Sequence, residues 1–239
     1  MKKAGSCIDC FNPGCFIKYC SSKWIKEIET HKTEVSYKKG QAVFAAGEFV
    51  NGLFFIKDGQ VKVVSSGLND KEQIVRLATS GHILGHRGSN GETYPISAVA
   101  MKDSVVCFVK NETISEAFLK NPEFTVKLML FYSKELRGIE ARIKYLSQMT
   151  VREKVAFALL YLKTIFGYQA QGTTNKGQLL NVQISRTDIA GICGTNEEQV
   201  IRNLSDFEQE KLIAKEGKKI RIVNESTLYG ILKVYNLQL

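Results

Sequence analysis

Four of the six cysteines lie within the first twenty residues, as Cys7, Cys10, Cys15 and Cys20. Thiolates at this density are ligands for soft metals, and they suit either an iron–sulfur cluster or a tetrahedral zinc ion. Residues 11–14 include a proline and a glycine, so the segment can wrap around a metal. The spacing alone leaves iron–sulfur, zinc and no metal all open.

The other two cysteines, Cys107 and Cys193, stand alone. Cys107 alternates with Val105 and Val109, which is also the pattern of a small buried side chain on a strand. Cys193 is expected to be a packing residue. The chain has no apolar stretch of membrane-spanning length and no signal core near Met1, so we expect a cytoplasmic protein whose thiols stay reduced.

The C-terminal part contains signals for two short helices joined by a glycine turn. Ser185 with Asp188 marks the start of the first helix. Thr195 with Glu198 predicts a capping box that opens a second helix over residues 196–210. This arrangement is typical of a helix-turn-helix, whose second helix presents its N-terminal residues to the major groove of DNA.

The outer side of this motif carries groups that can read base edges. Arginine can donate two bonds to guanine, glutamate can accept from cytosine, and an aliphatic side chain can pack on a thymine methyl. On local pattern alone, Glu198 could instead serve only its cap, and Arg202 could simply be solvated. Residues 211–222 predict two strands around a basic turn, a wing that contacts phosphate. The predicted DNA-binding residues are Ser185, Arg186, Thr195, Asn196, Glu197, Glu198, Ile201, Arg202, Ser205, Lys218 and Lys219.

The remaining chain has the length and composition of two modest domains, with 239 residues of which 44% are hydrophobic. From about residue 35 to 109, short β-branched and aromatic segments alternate with glycine turns, which predicts an antiparallel roll or barrel. A long helix is expected from residue 122 to about 148, followed by a helix over 151–166 and a turn or hairpin tip over 169–178.

An apolar stripe runs along the long helix at intervals of three or four residues. Such a stripe is either the buried face of a core helix or the seam of a two-stranded coiled coil, and its length and narrowness favour the dimer seam. The predicted interface residues are Leu128, Tyr132, Leu136, Ile139, Ile143 and Leu146.

The formal charge of +9 favours polyanionic partners such as DNA. No enzymatic activity is expected, because His31, His82 and His86 form no recognisable pairing with a nucleophile. Two alternatives stay open at this point. One is an effector-binding regulator without metal, and the other is a ligand-binding module whose C-terminal domain makes protein contacts.

From about residue 38 to 223 the order of parts resembles the Crp/Fnr superfamily of bacterial transcription regulators. The resemblance is most specific over 184–222, with Leu212 and Ile213 after the second helix and Gly217 with Lys218 in the wing. It implies an α+β fold: an N-terminal cyclic-nucleotide-binding-type β-roll, a long dimerisation helix and a C-terminal winged helix-turn-helix. The implied segments are 1–21 (cysteine-rich), 22–120 (sensor roll), 121–148 (dimer helix) and 149–239 (DNA-binding domain).

The same resemblance implies a homodimer on a palindromic double-stranded DNA operator, with RNA polymerase as a further partner and no membrane. Glu198 and Arg202 would be the base-reading glutamate and arginine of the family. Ile201 replaces the serine often found there in the Fnr branch, which leaves the operator half-site undetermined.

The cysteine-rich start is similar to the oxygen-sensing Fnr branch, and Cys107 resembles its distal cluster cysteine. This implies a four-iron, four-sulfur cluster on Cys107, Cys7, Cys10 and one further cysteine, with Cys15 preferred to Cys20. The spacing departs from the Fnr pattern, which has five residues between its second and third local ligands. Here four residues lie between Cys10 and Cys15, and nine between Cys10 and Cys20. Cluster assembly would tie the N-terminus to the roll and favour the DNA-competent dimer, and Ile139 on the seam would allow some dimerisation without it.

Cyclic AMP is not expected as the effector. The members of the superfamily that bind it carry an Arg-Ser pair for the phosphate, whereas here Ile96 precedes Ser97. A buried phosphate without a cationic partner would lose its main charge-assisted bonds. Arg87 is the one residue that could substitute from another direction.

Overall fold

The computed structural model describes residues 5–67, 71–86, 92–174 and 177–235. The chain forms two compact units. The first comprises Met1–Ser66 and Val75–Gly138, and the second comprises Gly67–Ile74 and Ile139–Leu239. The division falls within the long helix, whereas the sequence resemblance implied a separate segment for it.

The predicted antiparallel roll is confirmed as two four-stranded sheets. The strand orders are β1-β8-β3-β6 and β2-β7-β4-β5. The strands are β1 Thr33–Tyr37, β2 Ala42–Phe44, β3 Gly52–Asp58, β4 Gln60–Ser66, β5 Glu72–Thr79, β6 Ile83–Leu84, β7 Ser97–Ala100 and β8 Ser104–Lys110.

Strand β3 is buried on both faces, which explains its unbroken apolar run. Successive side chains point to opposite faces of a sheet. Phe54 and Ile56 therefore enter the core inside the roll, while Leu53 and Phe55 enter a second core. We call this second cluster the outer core; helices and the N-terminal segment contribute to it, and it also contains Cys107.

The helices begin and end at local signals in the sequence. Proline occupies the first position of the long helix, where its missing N–H costs nothing. A capping box between Thr150 and Glu153 opens the next helix, and Gly167 follows its last residue. The predicted bounds of both helices are confirmed. The helices are α1 Ser22–His31, α2 Asn111–Lys120, α3 Pro122–Gln148, α4 Val151–Phe166, α5 Arg186–Cys193, α6 Glu197–Gln209 and α7 Glu225–Ile231, with 3-10 turns at Phe16–Tyr19 and Lys233–Tyr235.

The second unit contains a four-stranded sheet of order β11-β12-β10-β9. Its strands are β9 Tyr168–Thr174, β10 Gly177–Leu180, β11 Ile213–Glu216 and β12 Lys219–Ile222. β9 and β10 pair antiparallel, so most of the segment 169–178, which was predicted as a turn or hairpin tip, lies instead in the two strands of a hairpin. β11 and β12 form the predicted wing, and Gly217 at its tip has a positive φ of 62°, which glycine adopts without strain. Within the described part of the chain, no helix is both long and apolar enough to cross a membrane.

Candidate DNA-binding surface and metal centre

The first helix of the predicted helix-turn-helix, α5, is capped as the sequence predicts. The Ser185 hydroxyl accepts a hydrogen bond from the Asp188 backbone N–H at 2.9 Å, and the Asp188 carboxylate accepts from the Ser185 hydroxyl at 2.7 Å. Gly194 ends the helix in the left-handed conformation, with φ 62° and ψ 42°. Cys193 is fully buried, in agreement with a packing role.

The predicted capping box between Thr195 and Glu198 is wrong. The N-cap of α6 is Asn196, whose side-chain oxygen accepts from the Gln199 backbone N–H at 2.9 Å. Asparagine is at least as good an N-cap as threonine, so the helix begins one residue later than the box required. The Thr195 hydroxyl donates instead to the Gln199 side chain at 2.7 Å. Glu198 therefore takes no part in the cap and points outward.

The outer side of α6 presents the two predicted base-reading residues. Val200, Leu204 and Phe207 recur at the helical period and are fully buried on the inner side. The side chains of Arg202 and Glu198 are 72% and 82% exposed and pair with each other at 3.3 Å. An exposed ion pair of this kind contributes little free energy, so both groups can turn to other partners. We call Glu198, Ile201 and Arg202 the recognition face.

The other predicted DNA-binding residues surround this face. Glu197 accepts from the Thr187 hydroxyl at 2.8 Å, and Ser205 accepts from the Lys215 ammonium at 3.3 Å. Arg186, at the first position of α5, donates to the Gly217 carbonyl of the wing at 3.4 Å. Lys218 is exposed at the wing tip and Lys219 is half-buried. Thr187 and Lys215 thus bind residues of this surface, and no local sequence pattern predicted either of them.

The long helix α3 presents a heptad of apolar side chains. The repeat is Met129, Tyr132, Leu136, Ile139, Ile143 and Leu146. Met129 and Ile143 are 64% and 66% exposed, whereas Leu128 is only 6% exposed because it packs in the outer core. Leu128 is therefore a core residue of its own chain, and Met129 takes its place on the exposed side. We call the six heptad residues the seam.

Four cysteines from two distant parts of the chain line one small cavity. They are Cys7, Cys10 and Cys15 of the N-terminal segment and Cys107 of β8. Cys20 is buried in the outer core and does not line this space. We call this space the cysteine cavity.

Comparison with known proteins places the two units in recognised domain families. Residues 34–121 match the cyclic nucleotide-binding domain, and residues 153–231 match the Crp-like helix-turn-helix domain. Over 194 residues the chain is 30% identical to the transcriptional activator protein Anr of Pseudomonas aeruginosa, covering 81% of this chain and 78% of that protein. The chain belongs to the Crp/Fnr family.

Further similarities support the fold and the function. The chain is 27% identical over 191 residues to the fumarate and nitrate reduction regulatory protein of Escherichia coli, covering 80% of this chain and 75% of that protein. The structure of FixK2 from Bradyrhizobium japonicum matches the fold with a TM-score of 0.73 at 24% identity, covering 84% of this chain and 96% of that chain. This family member is thus a DNA-binding transcription regulator.

Burial keeps several cysteine thiols protonated. It raises the pKa of Cys15 to about 11. It also raises the pKa of Cys107 to about 12, although the neighbouring ammonium of Lys32 acts in the opposite direction. A metal binds the thiolate, so metal loading must displace these protons.

The cysteine cavity offers suitable ligands for a metal group but little room for one. Within residues 5–67, 71–86, 92–174 and 177–235, no three cysteine, histidine or acidic side chains are grouped so that they could hold a metal ion. The cysteine cavity measures about 20 Å³, which is room for about one water molecule. Four thiols around one space nevertheless match the ligands of a cubane cluster. The N-terminal segment must move outward to admit one.

Two spaces adjoin the Phe44 and Tyr94 rings in the described part of the roll, and the more open one measures about 250 Å³ and is also lined by Phe54 and Phe108. A cavity of about 10 Å³ remains between Phe44, Arg76, Tyr94 and Ile96. The Phe44 and Tyr94 rings stack at 4.2 Å, and Arg76 pairs with Glu135 of α3 at 2.9 Å. Arg87 lies outside the described residues.

Proposed function

We propose that this regulator is a homodimer that senses oxygen or redox state through a four-iron, four-sulfur cluster and transmits that state to a palindromic operator. The observation that carries the proposal is the meeting of Cys7, Cys10, Cys15 and Cys107 around one cavity. When bound, such a cluster supplies an iron–sulfur centre whose oxidative loss is the signal. Zinc bound by the same thiolates is the alternative cofactor.

The residues next to Cys15 offer a route from the cysteine cavity to α3. Phe16 packs edge-on against Phe131 of α3, with ring centroids 5.1 Å apart. Tyr19 lies under the ammonium of Lys127 at 5.2 Å, and the Ser21 N–H donates to the Asn121 side chain at 2.9 Å. A movement of the cysteine segment must therefore shift the aromatic and polar contacts of α3.

We infer that cluster loading selects the arrangement of α3 in which the seams of two copies pair, and that loss of the cluster releases it. The seam supports the dimer, because Met129, Leu136 and Ile143 are more than half exposed and monomeric proteins rarely leave such an apolar stripe in water. We also place the regulator in the cytoplasm, where operator DNA is found, assign it no catalytic activity, and propose RNA polymerase as a further partner.

The test is to purify the protein without oxygen, measure iron and sulfide, and compare operator affinity before and after exposure to air. The operator is first selected from a random duplex pool. We expect about four iron and four sulfide per chain. Loss of the cluster in air should weaken operator binding by about 5- to 150-fold, the range of an ordinary allosteric coupling. Unchanged affinity after the iron has been lost would rule out the coupling, and an iron-free, colourless preparation would favour an effector-binding roll.

The recognition face makes a separate prediction. Arg202→Ala or Glu198→Ala should each weaken operator binding by about 1–3 kcal/mol and relax sequence preference at one base pair, because each removes one side chain that reads a base edge. Lys218→Ala should weaken operator and random duplex equally, as the loss of a phosphate contact does. Both are measured by titrating fluorescent duplexes at several salt concentrations.

Arg152→Ala is the matched control, because Arg152 also pairs with an exposed glutamate, Glu210, but at the far end of α6. It should leave the preference for the operator unchanged. An Arg202→Ala variant with wild-type discrimination between operator and random duplex would contradict the assignment of the recognition face.

A further inference from the structure

Beside the four cysteines lies a lysine that is almost completely buried. The side chain of Lys32, directly after α1, is 2% exposed. Its ammonium donates to the sulfur of Cys7 at 3.1 Å and to the carbonyl of Gly5 at 2.6 Å. Removing an ammonium from water is costly unless charged or strongly polar partners replace the water. The positive charge of the buried Lys32 ammonium therefore needs a negative or strongly polar partner nearby.

The carboxylate nearest to Lys32 is already shared. Glu34 lies 3.6 Å from the Lys32 ammonium. It also pairs with Lys57 at 2.8 Å and accepts from the Gly5 N–H at 2.9 Å. Two ammonium groups thus divide one carboxylate, which leaves the pair of lysines with a surplus positive charge.

The residues that line the cysteine cavity also carry an excess of positive charge. Lys18, Lys32 and Lys57 all line it, and the Lys18 ammonium donates to the Cys10 carbonyl at 2.6 Å. Among the described residues that line the cavity there is no aspartate or glutamate, and the nearby Glu29 accepts from the Cys7 N–H at 2.6 Å. A cavity with thiol ligands and three nearby ammonium groups suits an occupant that is anionic once its ligands are counted.

We propose that Lys32 is a positioning residue for the cluster: it hydrogen-bonds the Cys7 thiolate and supplies the positive charge that stabilises the anionic cluster–thiolate assembly. The inference rests on the proposed function. A cubane cluster with four thiolate ligands is negatively charged, and hydrogen bonds to its sulfurs are known determinants of cluster stability and reduction potential. Lys32 differs from Lys18 and Lys57 because only its ammonium lies against a ligand sulfur.

Three variants test this inference. Lys32→Met removes the donor and the charge at similar length, Lys32→Arg keeps both, and Lys57→Met removes a neighbouring charge that bonds Glu34 but no cysteine sulfur. Each is prepared without oxygen, and four quantities are measured: iron and sulfide per chain, the half-life of the cluster absorption after air is admitted, the reduction potential, and the urea midpoint of the iron-free protein.

We expect Lys32→Met to bind iron about tenfold more weakly, as removal of an outer partner of a metal ligand typically does. Its cluster should have a shorter half-life in air and a lower reduction potential, while the urea midpoint of the iron-free protein is unchanged or higher. Lys32→Arg should restore most of the half-life, and Lys57→Met should behave like the wild type. If Lys32→Met proves unable to fold, Lys32→Gln, a neutral donor, takes its place in the same comparison.

Wild-type half-life and potential in Lys32→Met would overturn the role of Lys32 and leave the cluster assignment intact. Equal losses in Lys32→Met and Lys57→Met would also overturn it, because the effect would then belong to the general charge of the cavity. A wild-type protein that takes up no iron and sulfide without oxygen would overturn the proposed cofactor, and this inference with it.

Discussion

Replacing Ile143 with glutamate is expected to convert the dimer to monomers and to weaken operator binding by at least about 100-fold. Ile143 is 66% exposed in the single chain, so the change removes no packing from the chain's own core. In the proposed dimer, two carboxylates would enter an apolar seam, and burial of an unpaired charge costs several kcal/mol. A palindromic operator then loses the simultaneous contact of two recognition helices.

Lys144→Gln is the control, because it makes the same change in charge on the adjacent exposed position outside the heptad. It should leave both dimerisation and DNA affinity unchanged. Sedimentation of each variant gives the association state, and titration of an operator duplex gives the affinity. An Ile143→Glu protein that sediments as a dimer would show that α3 does not form the interface.

The same helix shows where a periodic pattern stops being informative. The start of α3 could be predicted because Pro122 is a local signal, as Gly167 is for the end of α4. The face of α3 that is left exposed to a partner could not be predicted. Leu128 and Met129 are adjacent and apolar, and only the packing of Leu128 into the outer core decides which of them is left exposed. An apolar stripe in the sequence identifies a face of the helix, but it does not show which part of the protein packs against that face.

The start of α6 shows a similar limit. Thr195 and Asn196 are both good N-caps, and both are followed three residues later by a side chain able to complete a box. The sequence thus supports two starts that differ by one residue, and in the structure the N-cap is Asn196. The helix-turn-helix could be predicted because its signals are local and its buried positions, such as Leu204, follow the helical period.

The surroundings of the cysteine cavity were much harder to foresee. Asn12 is buried because its amide donates to the carbonyl of Ile56, 44 residues away along the chain. Lys32 is buried by Gly5 and Cys7, which precede it by more than 20 residues. An isolated lysine or asparagine in a polar stretch normally lies on the surface. Only the family resemblance related Cys107 to the N-terminal cysteines, because a separation of 100 residues leaves no local signal.

Serine substitutions are expected to show that the four cavity cysteines bind iron and that Cys20 does not. Cys107→Ser and Cys15→Ser should each reduce iron from about four per chain to near zero, because a hydroxyl replaces a soft thiolate ligand. Cys20→Ser should keep the iron, since Cys20 lies in the outer core and does not line the cysteine cavity. Iron and sulfide assays on protein purified without oxygen check all three variants.

Cys193→Ala is the control for the loss of a buried thiol, because Cys193 is fully buried in the second unit and should not change the iron content. The ligand set would have to be redrawn if Cys20→Ser lost its iron and Cys15→Ser retained it. In that case the N-terminal segment must refold as the cluster enters, because Cys20 now packs among Ile17 and Ile28 in the outer core. Cluster binding would then be coupled to the unpacking of that core, and the free energy of unpacking would lower the affinity for the cluster.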